Sequence, residues 1–307
     1  MLDAPIEGKL RAPDFLGIRA WLNSKPLALE SLGGKVVLVD FWTYTCINCI
    51  RTIPYVKKWH KDYAAKGLVV VGVHSPEFDF EKDVANVEAA VKDAGITYPV
   101  ALDSRMETWS AYGNRYWPAK YLIDRDGYIS YVSFGEGNYA RTETAIQALL
   151  GLKRKAGKKK AGKAAQPDYM FDQSPETYAG FAKSYGLGSG VACDEKGCNV
   201  YIDPGTHEMN TIYPHGRWVQ ESEYLELAQG PGNLSYRFNA REANVVVAPV
   251  KDAVKAEVFV GGKKAATLKI DRPRLYNVFT DAKGKYRERE LDIVFYGPVR
   301  AYAYTFG

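Results

Sequence analysis

Two different rhythms of apolar residues run along this chain. Up to about residue 151 the apolar positions form short unbroken runs alternating with stretches of helical spacing. Val36–Trp42 is apolar apart from Asp40 and predicts a strand buried on both faces. Residues 47–66 carry Ile53, Val56, Trp59 and Tyr63 at roughly helical spacing until Gly67 stops them. Residues 68–73 read as a buried parallel strand. Residues 81–94 read as a helix with Val84, Val87, Val91 and Ala94 on one face and Gly95 as its stop. A strand over 98–102 and a short helix over 106–112 follow, and 121–123 pairs with 128–132 as a hairpin across Asp126-Gly127. Thr142 is the expected cap of a last helix containing Ile146 and Leu149. This order predicts an α/β domain with a mixed central sheet.

After about residue 188 the period becomes two. Runs such as 234–238, 256–260, 275–279 and 291–295 alternate or stay apolar, and Pro231-Gly232, Gly261-Gly262 and Gly297-Pro298 punctuate them. They predict an all-β sandwich or jelly roll of about eight strands. The domains are therefore placed at 1–151 and 169–307, with 152–168 as a Lys-rich linker.

Composition adds two exclusions. No apolar run approaches the roughly 20 residues of a membrane span, and the N-terminus lacks the pattern of a secretory signal, so the chain as given reads as soluble. The net charge of +5 is concentrated in residues 152–163, which hold seven Lys or Arg and no acid. The remainder is mildly acidic, which argues against nucleic acid as a partner and for a solvated linker, with contact to an anionic membrane or envelope polymer as the alternative.

The chemistry centres on Cys46-Ile47-Asn48-Cys49, where the apolar strand breaks directly into a C-x-x-C pair that opens a helix. A thiolate attacks disulfides, and the unpaired N–H groups and dipole at a helix start stabilise negative charge. Cys46 is the expected nucleophile and Cys49 the more buried thiol that resolves the mixed disulfide. Two ordinary core cysteines are the plain alternative. Zinc is disfavoured because this half holds no second pair at ligand spacing, and no metal or cofactor is expected beyond the cysteine pair. Asp40, inside an apolar strand, needs a partner or a raised pKa.

These residues resemble the thioredoxin fold, whose signature is a strand ending Asp-Phe-Trp, then C-x-x-C, then a helix-kinking proline. Here Asp40, Trp42 and Pro54 stand at that spacing around Cys46, and Trp117-Pro118 stands where such proteins place a cis-proline. The resemblance implies that Asp40 accepts a proton from Cys49, that Trp42 packs beneath the site, and that Pro118 exposes backbone to a substrate strand. Trp42 and Trp117 are carried as substrate-binding candidates. The stretch from His74 to Asp103 looks like the insertion of TlpA-like redoxins, although Thr52 stands where many of those proteins have a glutamate. The segments Ser174-Pro175-Glu176-Thr177-Tyr178, Ile212-Tyr213-Pro214-His215-Gly216 and 301–307 look like the C-terminal region of DipZ-type thiol–disulfide interchange proteins. That likeness implies an α/β thioredoxin fold with a TlpA-like insertion, followed by an all-β jelly-roll domain like a carbohydrate-binding module. It further implies an extracytoplasmic reductant of protein disulfides, fed by a CcdA-like membrane electron donor and tethered through an upstream membrane domain.

Cys193 and Cys198 flank a tight turn with Gly197 and are expected to form a structural disulfide across a hairpin neck. An electron relay from Cys46, or free thiols, are the alternatives. His60, His74, His207 and His215 show no ligand spacing and are expected at the surface or as caps. Two other functions stay open: a thiol peroxidase, because Thr43-x-x-Cys46 mimics the peroxiredoxin element, and a scaffold whose β domain holds a carbohydrate or envelope partner.

Overall fold

The computed structural model describes residues 10–152, 173–195 and 197–307. The N-terminal nine residues and nearly all of the Lys-rich tract lie outside them. The chain divides into two compact units, Met1–Ala164 and Ala165–Gly307.

In the first unit the strands are β1 (Leu10–Arg11), β2 (Trp21–Leu22), β3 (Val36–Trp42), β4 (Leu68–His74), β5 (Val100–Leu102), β6 (Ala119–Ile123) and β7 (Tyr128–Phe134). They form one sheet in the order β1-β7-β6-β3-β4-β5-β2. Strand β3 runs parallel to β4 and antiparallel to β6, so the sheet is mixed, as expected. All seven residues of β3 are buried, because it is the central strand and is covered on both faces. Its alternate residues serve two cores. Val36, Leu38 and Trp42 pack with Cys49, Ile53 and Val56 of α1 (Ile47–Tyr63), with Val87 and Val91 of α2 (Val84–Asp93), and with Ile146. Val37, Val39 and Phe41 pack on the opposite side with Tyr112, Tyr121 and partly buried Trp109 of α3 (Glu107–Ala111). At roughly 1.5–3 kcal/mol for each large apolar side chain buried, β3 is the strand this unit can least spare. This is the thioredoxin fold, with an added helix and strand between β4 and β6.

Two local expectations change. Helix α2 starts at Val84 rather than residue 81, because the Asp83 carboxylate accepts the N–H groups of Ala85 and Asn86 and fixes the start there. Thr142 is no cap: it is buried within α4 (Tyr139–Leu149) and its hydroxyl donates to the Asn138 carbonyl.

The second unit is all β. Its strands are β8 (Thr177–Tyr178), β9 (Gly190–Asp194), β10 (Gly197–Ile202), β11 (Ile212–Gln220), β12 (Leu225–Leu227), β13 (Gly232–Asn239), β14 (Glu242–Pro249), β15 (Val254–Val260), β16 (Lys263–Ile270), β17 (Arg274–Thr280), β18 (Glu288–Phe295) and β19 (Val299–Phe306). That is twelve strands among the described residues rather than about eight. The additions include β9 and β10, whose exposed residues carry no apolar alternation. The strands pair in the order β16-β15-β18-β13-β11-β12-β19-β14-β17, and β11 joins the sheet of β13, β15, β16 and β18 to that of β12, β14, β17 and β19: Ile212 to His215 pair with β13, whereas Trp218 to Gln220 pair with β12. Gly216 sits between these halves at φ 108°, a left-handed conformation open to glycine, and lets the strand change sheet. Leu234, Phe238, Ile293 and Phe295 of one sheet meet Trp218, Leu227, Val245 and Phe306 of the other in a single core.

Candidate active site

Strand β3 and helix α1 build the site between them. Cys46 is the N-cap of α1, and its sulfur accepts the Cys49 N–H at 3.3 Å while its carbonyl accepts the Ile50 N–H at 3.0 Å. Its sulfur thus lies at the positive end of a 17-residue helix, among the N–H groups that have no intrahelical acceptor. Cys46 is partly exposed, Cys49 is 1% exposed, and both are free thiols. Burial pushes the Cys49 thiol well above its ordinary value; the adjacent Cys46 sulfur and the Asp40 charge add to this, and the Thr43 backbone works against it. One cysteine of the pair is therefore accessible and the other stays protonated in the protein interior.

Beneath them runs a row of residues across four strands. Asp40 faces Gly72 of β4 on one side and Lys120 of β6 on the other, and Lys120 faces Ser133 of β7. By strand alternation Asp40 lies on the face that carries Leu38 and Trp42, which α1 and Cys49 cover. Asp40 is 1% exposed and its Oδ1 has no hydrogen-bond partner among the described residues. Burial pushes its carboxyl up to about 7, with the Lys120 charge pulling the other way. Lys120 is itself fully buried and donates to the Gly135 carbonyl at 3.1 Å.

The Trp117–Pro118 peptide is cis, and the Pro118 carbonyl accepts the Gly135 N–H at 2.7 Å. The Trp117 indole donates to the Ser75 carbonyl at 3.0 Å and lies 4.2 Å from the Trp109 ring. Partly buried Cys46 and Trp117 pack against the same core. Trp42 requires a correction. It is 1% exposed and lies edge-on to His74, so it has no surface to offer a substrate and supports the site from below. His74 is corrected too: it is buried rather than at the surface, and burial brings its ring down to about 3.

Sequence reasoning missed Glu81. Its buried carboxylate accepts the Thr45 hydroxyl at 2.7 Å and the N–H groups of Glu77 and Phe78 at 2.6 and 3.1 Å. The insertion thereby holds the loop that delivers Cys46. No local pattern announces it, since its donors come from another strand end as well as from its own turn. Replacing Glu81 by alanine strands those buried donors, and we expect a loss of about 2–4 kcal/mol in denaturant unfolding; an unchanged midpoint would show that the loop holds itself. The Thr43 hydroxyl is likewise committed. Thr43 is fully buried, with its hydroxyl 3.3 Å from His74 Nε2, and so offers nothing to a peroxide at Cys46. The peroxidase reading loses its motif.

Comparison with known proteins follows the same division of the chain. Residues 8–150 match the Redoxin family model, and residues 174–307 match the model described as thioredoxin like C-terminal domain. Protein DipZ of Mycobacterium bovis is 40% identical over 277 residues, which cover 88% of this chain and 39% of that protein. The chain thus spans well under half the length of that relative. Thiol-disulfide oxidoreductase YkuV of Bacillus subtilis is 29% identical over 46% of this chain and 97% of its own length. Thiol-disulfide oxidoreductase ResA of Bacillus thuringiensis is 30% identical over 45% of this chain and 76% of its own length. A capping thiol above a buried carboxyl, on a sheet of this topology and with these relatives, makes the chain a member of the redoxin family of thiol–disulfide oxidoreductases.

Proposed function

We propose that the first unit reduces protein disulfides outside the cytoplasm by dithiol exchange. The observation that carries this reading is the asymmetry of the pair: Cys46 caps α1 and is partly exposed, while Cys49 lies in the core above Asp40. Cys46 as thiolate attacks one sulfur of the substrate disulfide, and the other sulfur leaves as a thiolate. Cys49 gives its proton to Asp40 and attacks the Cys46 sulfur, releasing the second substrate thiolate and closing Cys46–Cys49. Lys120 holds Asp40 within the range where it can take up that proton and release it near neutral pH. Trp117-Pro118 borders the substrate segment, with the indole fixed by Ser75 and Trp109.

The extracytoplasmic setting is what the resemblance to DipZ-type proteins implies, and protein DipZ of Mycobacterium bovis is the 40% identical relative. No helix among the described residues is long and apolar enough to cross a membrane. Equilibrating Cys46/Cys49 in graded dithiothreitol or glutathione buffers tests the direction of electron flow. A potential near that of thioredoxin, about −270 mV, is expected, and one near about −120 mV would make the protein an oxidant.

A further inference from the structure

The bond between Cys193 and Cys198 closes the β9–β10 hairpin, yet it holds very little. Both cysteines are exposed, and among the described residues of 190–202 Tyr201 alone is buried. The hairpin is secured by other means. Backbone pairing joins Val191 to Tyr201 and Ala192 to Val200, and Val200 pairs on its other side with Arg217 of β11. The Arg217 guanidinium donates to the side chains of Asp194 and Asn199, the residues that directly follow the two cysteines. A covalent ring of so few residues also removes little entropy from the unfolded chain. Opening the bond therefore leaves the core untouched and keeps the two sulfurs opposite each other, ready to close again.

We propose that Cys193–Cys198 is a second redox pair, reduced by the Cys46/Cys49 dithiol of this protein. The inference rests on the reading of Cys46/Cys49 given above. Cys46 thiolate attacks the exposed disulfide and forms one mixed bond, and the other hairpin sulfur departs as a thiolate. Cys49 passes its proton to Asp40, attacks Cys46 and frees the second hairpin thiolate. Cys46 and Cys49 lose two electrons and become a disulfide. Cys193 and Cys198 gain them and become a dithiol, taking one proton by way of Asp40 and one from solvent.

The test uses the full chain, oxidised at both pairs and given limiting dithiothreitol. Thiols are blocked with N-ethylmaleimide over time, and the peptides holding Cys193 and Cys198 are quantified by mass spectrometry. Reduction of that pair is expected to run about tenfold or more faster in the native chain than in a C46S/C49S double variant. Cys49→Ser is expected to yield a covalent adduct between the Cys46 peptide and a Cys193 or Cys198 peptide. A rate independent of protein concentration assigns the exchange to one chain and a rate proportional to it assigns the exchange to two copies; either supports the proposal. Equal rates in native chain and double variant overturn it. Insulin reduction in the same samples separates the two levels of argument: insulin turnover with equal hairpin rates rejects the second pair alone, and silence toward insulin as well rejects the Cys46/Cys49 reading beneath it.

Discussion

Replacing Cys46 with serine is expected to bring disulfide reduction down to the uncatalysed background, a loss on the order of 10³-fold or more. The size follows from the position of the sulfur. Cys46 alone of the pair is both partly exposed and placed at the start of α1, where backbone N–H groups are free to stabilise a thiolate. Serine has the same shape, but its hydroxyl does not ionise in this range, so the attacking species is lost while the fold remains. Cys49 cannot substitute, because it is 1% exposed and burial keeps it protonated. Cys49→Ser is expected to behave differently: the first attack proceeds and the mixed disulfide with Cys46 accumulates. Insulin turnover and non-reducing electrophoresis with a disulfide-bonded substrate measure the two outcomes. Undiminished turnover in the Cys46 variant would remove the nucleophile assignment.

Asp40→Asn should separate catalysis from stability by their pH dependence. In the native chain the Asp40 carboxyl stands at about 7 against an ordinary value of 3.8, chiefly through burial, with Lys120 opposing. Between those two values the folded protein holds a proton that the unfolded chain has released. Asp40 therefore makes stability fall as pH rises from about 4, and its contribution levels off above about 7. Just over three pH units correspond to roughly 4 kcal/mol. The asparagine variant lacks this slope, whatever its absolute stability, since losing the carboxylate also removes the buried charge that faces Lys120 across the β3–β6 pairing. Denaturant unfolding of both proteins at pH 4 to 8 isolates the effect as a difference between two curves, and parallel curves would contradict a raised Asp40. Activity moves separately. Resolution by Cys49 needs Asp40 ionised, so the native rate climbs through about pH 7, and the variant is expected to lose that limb with a fall on the order of 10²-fold above neutrality.

How much of this was legible beforehand depends on whether a residue's neighbours lie nearby in the chain. Strand β3, helix α1 with its Cys46 start, the β6–β7 hairpin and the change to period two in the second half are all set by local alternation, turn residues and caps, which one stretch of sequence carries by itself. The spacing of Asp40, Trp42, Pro54 and Pro118 around the cysteines likewise placed a dithiol site at that strand-to-helix junction. Burial of polar groups is decided elsewhere. Asp40 meets Lys120 only through the β3–β6 register, and Glu81 reaches Thr45 from 36 residues away. His74 is buried, stacked against Tyr44, as the last residue of the apolar run that forms β4, although its polar ring suggested the surface. Strands β9 and β10 give no apolar rhythm because their residues are mostly exposed, so the sequence marks only the hairpin neck between the two cysteines and not the length of the strands. The amino-acid sequence by itself determined which thiols stand at the strand-to-helix junction and what fold presents them. Tertiary structure alone decided which charges are enclosed with those thiols and which disulfide stands in the open, because both depend on strands and loops that the chain brings together only after it has folded.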